Sequence, residues 1–206
     1  AAKNIYGGSF NLLEHTLPQY GIETTFVDPF NIDEVKAAIK DNTKALYIET
    51  LGNPNSDVVD IETLANIAHE HKIPLIVDEA HGAHFCFSDY FPKSAVACGA
   101  DVVIQSTHKT LPAMTQTALI HLNGDLIDRE RIRRMLTIYQ TSSPSYILMG
   151  SIDGCLHMLS ENGEMLYKAY TERLQKLRNA IHKQCRWIKL PEYEELDAAC
   201  SKDYDK

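Results

Sequence analysis

Hydrophobic and polar residues follow two alternating patterns along the first 140 residues of the chain. Short apolar runs predict β-strands, and the segments between them repeat apolar residues every three or four positions, as amphipathic helices do. Strands that alternate with helices of about a dozen residues indicate crossover units and a mainly parallel sheet. Strands are predicted at residues 22–28, 44–50, 74–80, 101–107 and 117–122, and helices at residues 9–20, 31–40, 60–72 and 125–136.

Capping residues support two of these helices. Asn31, with Glu34 three positions later, resembles a capping box. Asp60 stands at the start of the following helix, where its carboxylate can accept a hydrogen bond from a free backbone N–H group. Pro74 prevents that helix from continuing, because proline lacks the N–H group that the next turn would need.

A long helical tract follows the turn TSSPS at residues 141–145. It carries an apolar stripe at spacings of four and three, which fits either a coiled-coil seam or a helix that lies on the core. We expect a helix on the core, because the stripe is short and ends before Trp187 and Pro191. The stripe consists of Leu166, Tyr170, Leu174, Leu177 and Ile181.

Composition disfavours several classes of function. The 206 residues include 28 acidic and 20 basic ones, and this net charge of −8 without a basic run disfavours binding to nucleic acid or to an anionic membrane. No apolar stretch approaches the roughly 18 residues of a membrane span, and the first residues lack the pattern of a secretory signal. Five scattered cysteines without a C-x-x-C pair disfavour a disulfide framework, so we expect a cytoplasmic protein.

The stretch PLIVDEAHGAH at residues 74–84 allows three interpretations. Residues 78–81 match the Walker B box of a DEAH-type helicase, but the P-loop that such a box serves is missing, because no glycine precedes a lysine. His81 and His84 suggest a metal site, yet such a site needs at least three converging ligands, and we predict no metal. The third interpretation is that Asp78, at the end of a buried strand, binds a cationic group.

The third interpretation gains support from QSTHKT at residues 105–110, where the next predicted strand ends. Ligands of an open α/β sheet bind beyond the carboxyl ends of its strands, and Asp78 and Lys109 both lie at such ends. Pyridoxal phosphate requires a lysine that forms a Schiff base and an aspartate that pairs with the pyridinium nitrogen. Ser106 and His108 can donate hydrogen bonds to its phosphate oxygens. The combination predicts a pyridoxal-phosphate site.

The sequence resembles the fold-type I pyridoxal-phosphate enzymes, and two of their families in succession. Residues 4–78 are similar to the sulfur amino-acid enzymes, such as O-acetylhomoserine sulfhydrylase and methionine γ-lyase, in YGGSFNLLEHTLPQYGIE and TKALYIETLGNPNSDVVDIETLANIAHEHKIPLIVD. From Asp78 to about residue 200 the chain resembles the Orn/Lys/Arg decarboxylases in DEAHGAHF, GADVVIQSTHKTLPAMTQTALIHL and TSSPSYILMGSIDG. The two resemblances meet at Asp78, the one aspartate that both families share.

The resemblance implies an α/β fold with the three-layer, mostly parallel sheet of the aspartate aminotransferase-like large domain, incomplete at both ends. It implies a cofactor-binding large domain at residues 1–183 and the start of a linker and small domain at residues 184–206. The implied reaction is decarboxylation of lysine, ornithine or arginine, with sulfur amino-acid γ-elimination or γ-replacement, or an inactive fragment, as alternatives. The implied assembly is a homodimer or higher homo-oligomer that places the amino-acid substrate at the subunit interface.

The resemblance also assigns roles around the pyridine ring. The sulfur-enzyme half implies that Tyr6 stacks on the ring and that Asn53 lies near its phenolic oxygen; a core tyrosine and an Asn-Pro turn are the structural alternatives. The decarboxylase half implies Asp78 at the ring nitrogen, Ala80 against the ring face and Lys109 as the Schiff-base lysine.

Further roles concern the phosphate and the surroundings of the ring. The resemblance implies that Ser106 and His108 hold the phosphate, that Ser143 reaches the phosphate of the partner subunit, and that His81 lies beside the cofactor. Two features depart from the pattern. Decarboxylases of this type stack a histidine where this chain offers Tyr6, and the glycine-containing loop that cradles the phosphate in both families would lie before residue 1.

Overall fold

The computed structural model describes residues 1–52, 56–188 and 190. Within them lies a four-stranded sheet whose strands are neighbours in the order in which they occur along the chain. The first three strands are parallel, and the fourth is antiparallel to the third. This mostly parallel sheet with flanking helices confirms the predicted α/β class. The strands are β1 at Leu46–Glu49, β2 at Leu75–Asp78, β3 at Val102–Ser106 and β4 at Ala118–Leu122.

The helices agree with the predicted pattern within a few residues at each end. The first of them continues through a π-helical turn at Leu12–Thr16 and a 3₁₀ turn at Leu17–Tyr20, and a further 3₁₀ turn at Phe85–Phe87 follows β2. The helices are α1 at Gly7–Asn11, α2 at Ile32–Ala38, α3 at Ile61–Glu70, α4 at Arg129–Tyr139 and α5 at Tyr146–Gln184.

Both predicted capping residues begin their helices. The Asn31 side chain accepts a hydrogen bond of 3.2 Å from the backbone N–H of Glu34. Asp60 accepts bonds of 3.0 Å from the backbone N–H and 2.8 Å from the hydroxyl of Thr63. The Glu34 carboxylate bonds to the backbone N–H of Asp28 at 3.1 Å, so the capping box is not reciprocal.

The predicted strand at residues 22–28 is wrong. Val27 forms only an isolated parallel bridge with Ala2, whose N–H group in turn donates to the carbonyl of Tyr47 in β1 at 2.9 Å. The first residues of the chain therefore lie between Val27 and the sheet. Because this intervening segment pairs with Val27 over such a short length, residues 22–26 form no strand in the part of the chain that the structure describes.

The main hydrophobic core lies between the sheet and α2 and α3. It includes Leu64 of α3, Leu75 and Val77 of β2, and Val103 of β3, each with at most 1% of its surface exposed. Burial of such a side chain contributes about 1.5–3 kcal/mol. Alternate residues of the central strands therefore attach the helices to the sheet.

A smaller apolar cluster attaches the first half of α5 to the segments that follow β2 and β3. Its buried members are Ala83, Leu111, Cys155 and Leu159. Gly163 permits this approach, since a Cβ atom there would lie 3.3 Å from the backbone oxygen of Phe87 and force the two segments apart. Only the first half of α5 contributes fully buried residues.

The prediction that the apolar stripe of the long helix lies on the core is wrong. α5 has 39 residues, and its second half extends past the small cluster, so that no core surface in the described structure covers it. The exposed fractions of stripe residues are 41% for Leu166, 47% for Tyr170 and 56% for Leu177.

Among the described residues, no helix, α5 included, is long and apolar enough to span a membrane.

We expect Leu64→Ala to lower the free energy of unfolding by about 2–5 kcal/mol, because it leaves a cavity in the main core. Leu177→Ala removes the same atoms from an exposed position and should change that free energy by no more than about 0.5 kcal/mol. Urea unfolding followed by circular dichroism measures both. A comparable loss for Leu177→Ala would show that the stripe is covered in solution.

Candidate active site

The strand ends bring Asp78 and Lys109 to the same edge of the sheet. Asp78 is the last residue of β2, and Lys109 stands three residues after Ser106, the last residue of β3. Because β2 and β3 are parallel neighbours, their carboxyl ends meet at one edge, where open α/β sheets bind ligands. The prediction that the two residues follow neighbouring strands is confirmed.

Tyr6 lies at the same edge. Its ring centroid is 5.9 Å from the Lys109 Nζ atom, and 56% of the residue is exposed. The Tyr6 backbone N–H donates to Glu49 Oε1 at 2.6 Å, and Glu49 is the last residue of β1. Three consecutive parallel strands therefore contribute to one region, and a largely exposed tyrosine lies beside the lysine.

The carboxylate of Asp78 has a donor on each oxygen. The Tyr47 hydroxyl lies 3.4 Å from Oδ2, and the Ala80 backbone N–H donates to Oδ1 at 2.9 Å. A carboxylate has about four lone-pair positions, so Asp78 keeps acceptor capacity for a further donor. Ala80 itself is buried, and its predicted contact with the cofactor ring stays a prediction.

The charges of Asp78 and Lys109 act on the same neighbours. Burial lowers the pKa of His81, the positive charge of Lys109 lowers it further, and Asp78 raises it. Burial raises the pKa of Glu49, and so does Asp78, whereas the Tyr6 N–H group and Lys109 lower it. Since both charges reach His81 and Glu49, Asp78 and Lys109 share one electrostatic environment, as a site for a single ligand requires.

The segment between β3 and Lys109 carries the residues predicted to hold the phosphate. Ser106 is half-buried, and its carbonyl accepts a bond of 3.4 Å from the Lys109 N–H group. His108 Nδ1 lies 2.8 Å from the carbonyl oxygen of Thr117. A carbonyl can only accept, so Nδ1 carries the proton in this contact, and the free Nε2 atom can donate to a phosphate oxygen only when the ring is a cation.

Two predicted residues are not brought to this region by any described contact. Ser143 is exposed in the turn after α4, and its backbone N–H donates to the Thr141 hydroxyl at 3.2 Å. Its predicted contact with a partner subunit stays a prediction. Asn53 lies outside the described residues. The predicted residues that the structure does bring together are Tyr6, Asp78, Ala80, His81 and Lys109, with Ser106 and His108 on the adjoining segment.

The two histidines of the DEAHGAH motif have different surroundings. His84 is buried, and its ring centroid lies 4.8 Å from that of Phe85 and 4.5 Å from that of Phe91, in edge-on contacts. His81 lies near the charges at the strand ends. Within residues 1–52, 56–188 and 190, no group of three or more potential ligands is arranged to hold a metal ion.

Sequence analysis missed Glu79, which is fully buried beside Asp78. Its Oε1 atom accepts from the Ala95 N–H group at 2.7 Å and from the Thr50 hydroxyl at 3.2 Å, and its Oε2 atom accepts from Gln105 Nε2 at 2.6 Å. Burial raises the pKa of Glu79, while these hydrogen bonds lower it. The available signal was a second carboxylate, next to Asp78, inside the strand predicted at residues 74–80.

Sequence analysis also missed Thr110, which follows Lys109. Its Oγ1 atom is buried without a hydrogen-bond partner among the described residues. A buried hydroxyl in this state is costly and is usually satisfied by a ligand or by water. A ligand with several acceptor oxygens beside Lys109 would supply that partner.

Comparison with known proteins identifies the class of protein that carries this site. Residues 1–120 match the family model described as Cys/Met metabolism PLP-dependent enzyme. The match covers more than half of the chain, and the chain belongs to that family. This confirms the resemblance to the fold-type I enzymes, and pyridoxal phosphate is the cofactor of the family.

Several curated relatives are similar to the chain over different lengths. The uncharacterized protein YaaO of Bacillus subtilis is 50% identical over 95 residues, which are 46% of this chain and 20% of that protein. An arginine decarboxylase of Bacillus anthracis is 29% identical over 203 residues, or 98% of this chain and 40% of the relative. The sulfhydrylase FUB7 of Fusarium oxysporum is 38% identical over 131 residues, which are 64% of this chain and 28% of that protein. The chain spans less than half the length of each.

We expect the stability of the protein to depend on pH through Glu79. Its pKa lies above its ordinary value of 4.5, so the folded state holds this proton more tightly than the unfolded state. The resulting stabilisation is fully present below the ordinary pKa and is lost as the pH rises through the raised one. As the pH rises over that range, the wild type should lose stability relative to Glu79→Gln, because the glutamine side chain has no proton to lose there.

Urea unfolding of both proteins at a series of pH values measures this difference. Glu130→Gln is the matched control, because the Glu130 side chain is 76% exposed, and it should follow the wild type. A free-energy difference between the wild type and Glu79→Gln that is independent of pH would contradict the prediction.

Proposed function

We propose that this chain is the cofactor-binding part of an amino-acid decarboxylase that acts on lysine, ornithine or arginine. The observation that carries the proposal is the extent of similarity. The likeness to an arginine decarboxylase runs along 98% of the chain and includes α4 and α5, whereas the likeness to the sulfhydrylase covers 64%. The reaction and the substrate are inferred for the whole enzyme, of which the chain spans a part.

The residues at the strand ends fit pyridoxal phosphate. The unpartnered hydroxyl of Thr110, the remaining acceptor capacity of Asp78 and the largely exposed Tyr6 each match a part of it. When bound, this cofactor supplies an aldehyde that links to amines and a ring that accepts the electrons of a broken Cα bond.

Lys109 is the residue that would hold the cofactor covalently, because its Nζ atom is a primary amine. Its side chain is exposed at the strand-end edge and lies near the Tyr6 ring, which supports this role. The same amine would be the group that moves a proton at the substrate Cα atom.

Asp78 would keep the ring nitrogen protonated by accepting its hydrogen bond, a charge-assisted contact of roughly 1.5–3 kcal/mol. Tyr6 would stack on one ring face and Ala80 would pack against the ring. Ser106 and the cationic form of His108 would donate to phosphate oxygens, and His81 would lie beside the cofactor.

The remaining predictions extend this proposal to the whole enzyme. They are a large domain at residues 1–183 followed by the start of a linker and small domain at residues 184–206, and a role for Asn53 near the phenolic oxygen. They also include a homodimer or higher homo-oligomer in which Ser143 reaches the partner's phosphate. A cytoplasmic location belongs to the same set.

A sulfur amino-acid lyase or sulfhydrylase is the second candidate. The family match over residues 1–120 contains Tyr6, Asp78 and Lys109, and the identity to the sulfhydrylase is 38%, against 29% for the arginine decarboxylase. In that chemistry Lys109 would act as the base that removes the α-hydrogen of the substrate. In decarboxylation the carboxylate would leave the Cα atom instead.

We expect borohydride reduction in the presence of pyridoxal phosphate to attach a pyridoxyl group to Lys109. Mass spectrometry of the digested protein should locate the group there, and Lys109→Ala should lose it. Lys93→Ala is the matched control, because Lys93 is exposed and pairs with Glu62. A pyridoxyl group that persists in Lys109→Ala at wild-type yield would contradict the assignment.

The two candidate reactions differ in their products. Release of labelled CO2 from carboxyl-labelled arginine, lysine or ornithine is the expected result for the chain within its full-length enzyme. Homocysteine formation from O-acetylhomoserine that depends on sulfide, without CO2 release, would favour the second candidate.

A further inference from the structure

A pair of hydroxyl groups connects α1 to the carboxylate at the end of β2. The Tyr47 hydroxyl lies 3.1 Å from Ser9 Oγ and 3.4 Å from Asp78 Oδ2. We infer that Tyr47, supported by Ser9, is a positioning residue that aims the Asp78 carboxylate at the ring nitrogen of the cofactor. The inference rests on the proposed function, because it concerns the group that Asp78 binds there.

The Tyr47 hydroxyl can donate to Ser9 Oγ or to Asp78 Oδ2 but not to both, so the two contacts depend on each other. The Tyr47 hydroxyl has one proton, and the ionised Asp78 carboxylate can only accept. When Tyr47 donates to Asp78, the contact with Ser9 is satisfied only if the Ser9 hydroxyl donates to the Tyr47 oxygen. Both hydrogen bonds then point towards Asp78.

Register in the sheet explains why a tyrosine can reach the aspartate. Tyr47 pairs with Ile76, and Glu49 pairs with Asp78. Residues two apart on a strand point to the same face, so Tyr47 and Asp78 are diagonal neighbours on one face of the sheet. Aromatic side chains are long enough to span such a diagonal, and the phenol adds a donor at its end.

The surroundings keep the phenol protonated. Tyr47 is half-buried, and burial raises its pKa well above the usual value, to which the negative charges of Asp78 and Glu49 add. A phenol in this state remains a donor at neutral and mildly alkaline pH. It therefore offers Asp78 a hydrogen-bond donor over this pH range.

The two oxygens of the Asp78 carboxylate contact one residue that precedes it in the sequence and one that follows it. Oδ2 faces the Tyr47 hydroxyl and Oδ1 accepts from the Ala80 N–H group. Two fixed donors restrain rotation of the carboxylate about its Cβ–Cγ bond. The lone pairs that remain on the Asp78 carboxylate then keep one orientation. That orientation favours a ligand that has a single protonated nitrogen.

Two contacts connect α1 to β1 beside the proposed site. The Tyr6 N–H group bonds to Glu49, and Ser9 meets Tyr47, so α1 is attached to β1 at two points. The backbone of Tyr6 and the carboxylate of Asp78 are thereby both connected to β1. Loss of the Tyr47 hydroxyl should loosen Asp78 while the Tyr6–Glu49 bond stays in place.

The test compares pyridoxal phosphate with its analogue in which carbon replaces the ring nitrogen. Equilibrium dialysis measures the Kd of each for the wild type, Tyr47→Phe and Ser9→Ala, with exposed Tyr20→Phe as the control. Tyr47→Phe should weaken pyridoxal phosphate about tenfold, since it removes a hydrogen bond to a charged group at a long distance. It should leave the analogue unchanged, and Ser9→Ala should show a smaller loss with the same selectivity.

Equal weakening of both ligands by Tyr47→Phe would overturn the inference, because a merely structural role cannot depend on the ring nitrogen. No weakening of either ligand would also overturn it. Asp78→Asn separates this failure from that of the proposed function. If Asp78→Asn weakens pyridoxal phosphate selectively and Tyr47→Phe does not, only the role of Tyr47 fails. If Asp78→Asn changes neither Kd, the proposed role of Asp78 fails as well. Ser9→Ala keeps the test available should Tyr47→Phe disturb folding.

Discussion

A buried carboxylate ties together the strand ends on which the site is built. Glu79 is the residue after Asp78, and its side chain accepts hydrogen bonds from Thr50 beyond β1, from Gln105 of β3 and from the backbone of Ala95. A buried charge is tolerated only when such donors satisfy it. Because Glu79 must keep its inward direction, the alternation of the chain directs Asp78 towards the edge where ligands bind.

The order of elements and the edge that carries the site could be predicted from local patterns. Apolar runs identify the strands, capping residues identify two of the helices between them, and Asp78 and Lys109 stand at the ends of two such strands. Long-range pairing could not be predicted. The segment around Val27 has the composition of a strand, but Ala2 occupies the place next to β1. The Leu177 stripe has the spacing of a core helix, but the core ends before it.

The residues that sequence analysis missed can be recognised only from their surroundings in the folded chain. Tyr47 has the high β-propensity of any aromatic residue in a strand, and only the register shows that its hydroxyl meets Asp78. Thr110 gives no periodic signal, and its importance comes from a buried hydroxyl without a partner in the described structure. The residues that were predicted, Tyr6 and Lys109 among them, belong to motifs whose chemistry is recognisable without a structure.

One sheet edge is compatible with both families that the chain resembles. The proposed ring-binding pair, Asp78 and Lys109, needs only parallel strands that end at one edge, and both reactions need the same electron-accepting ring. The two proposed reactions would differ in the group that leaves the substrate Cα atom, the carboxylate or the hydrogen, and this difference requires no change in Asp78 or Lys109. The chain can thus be 38% identical to a sulfhydrylase over 131 residues and similar to an arginine decarboxylase over 203.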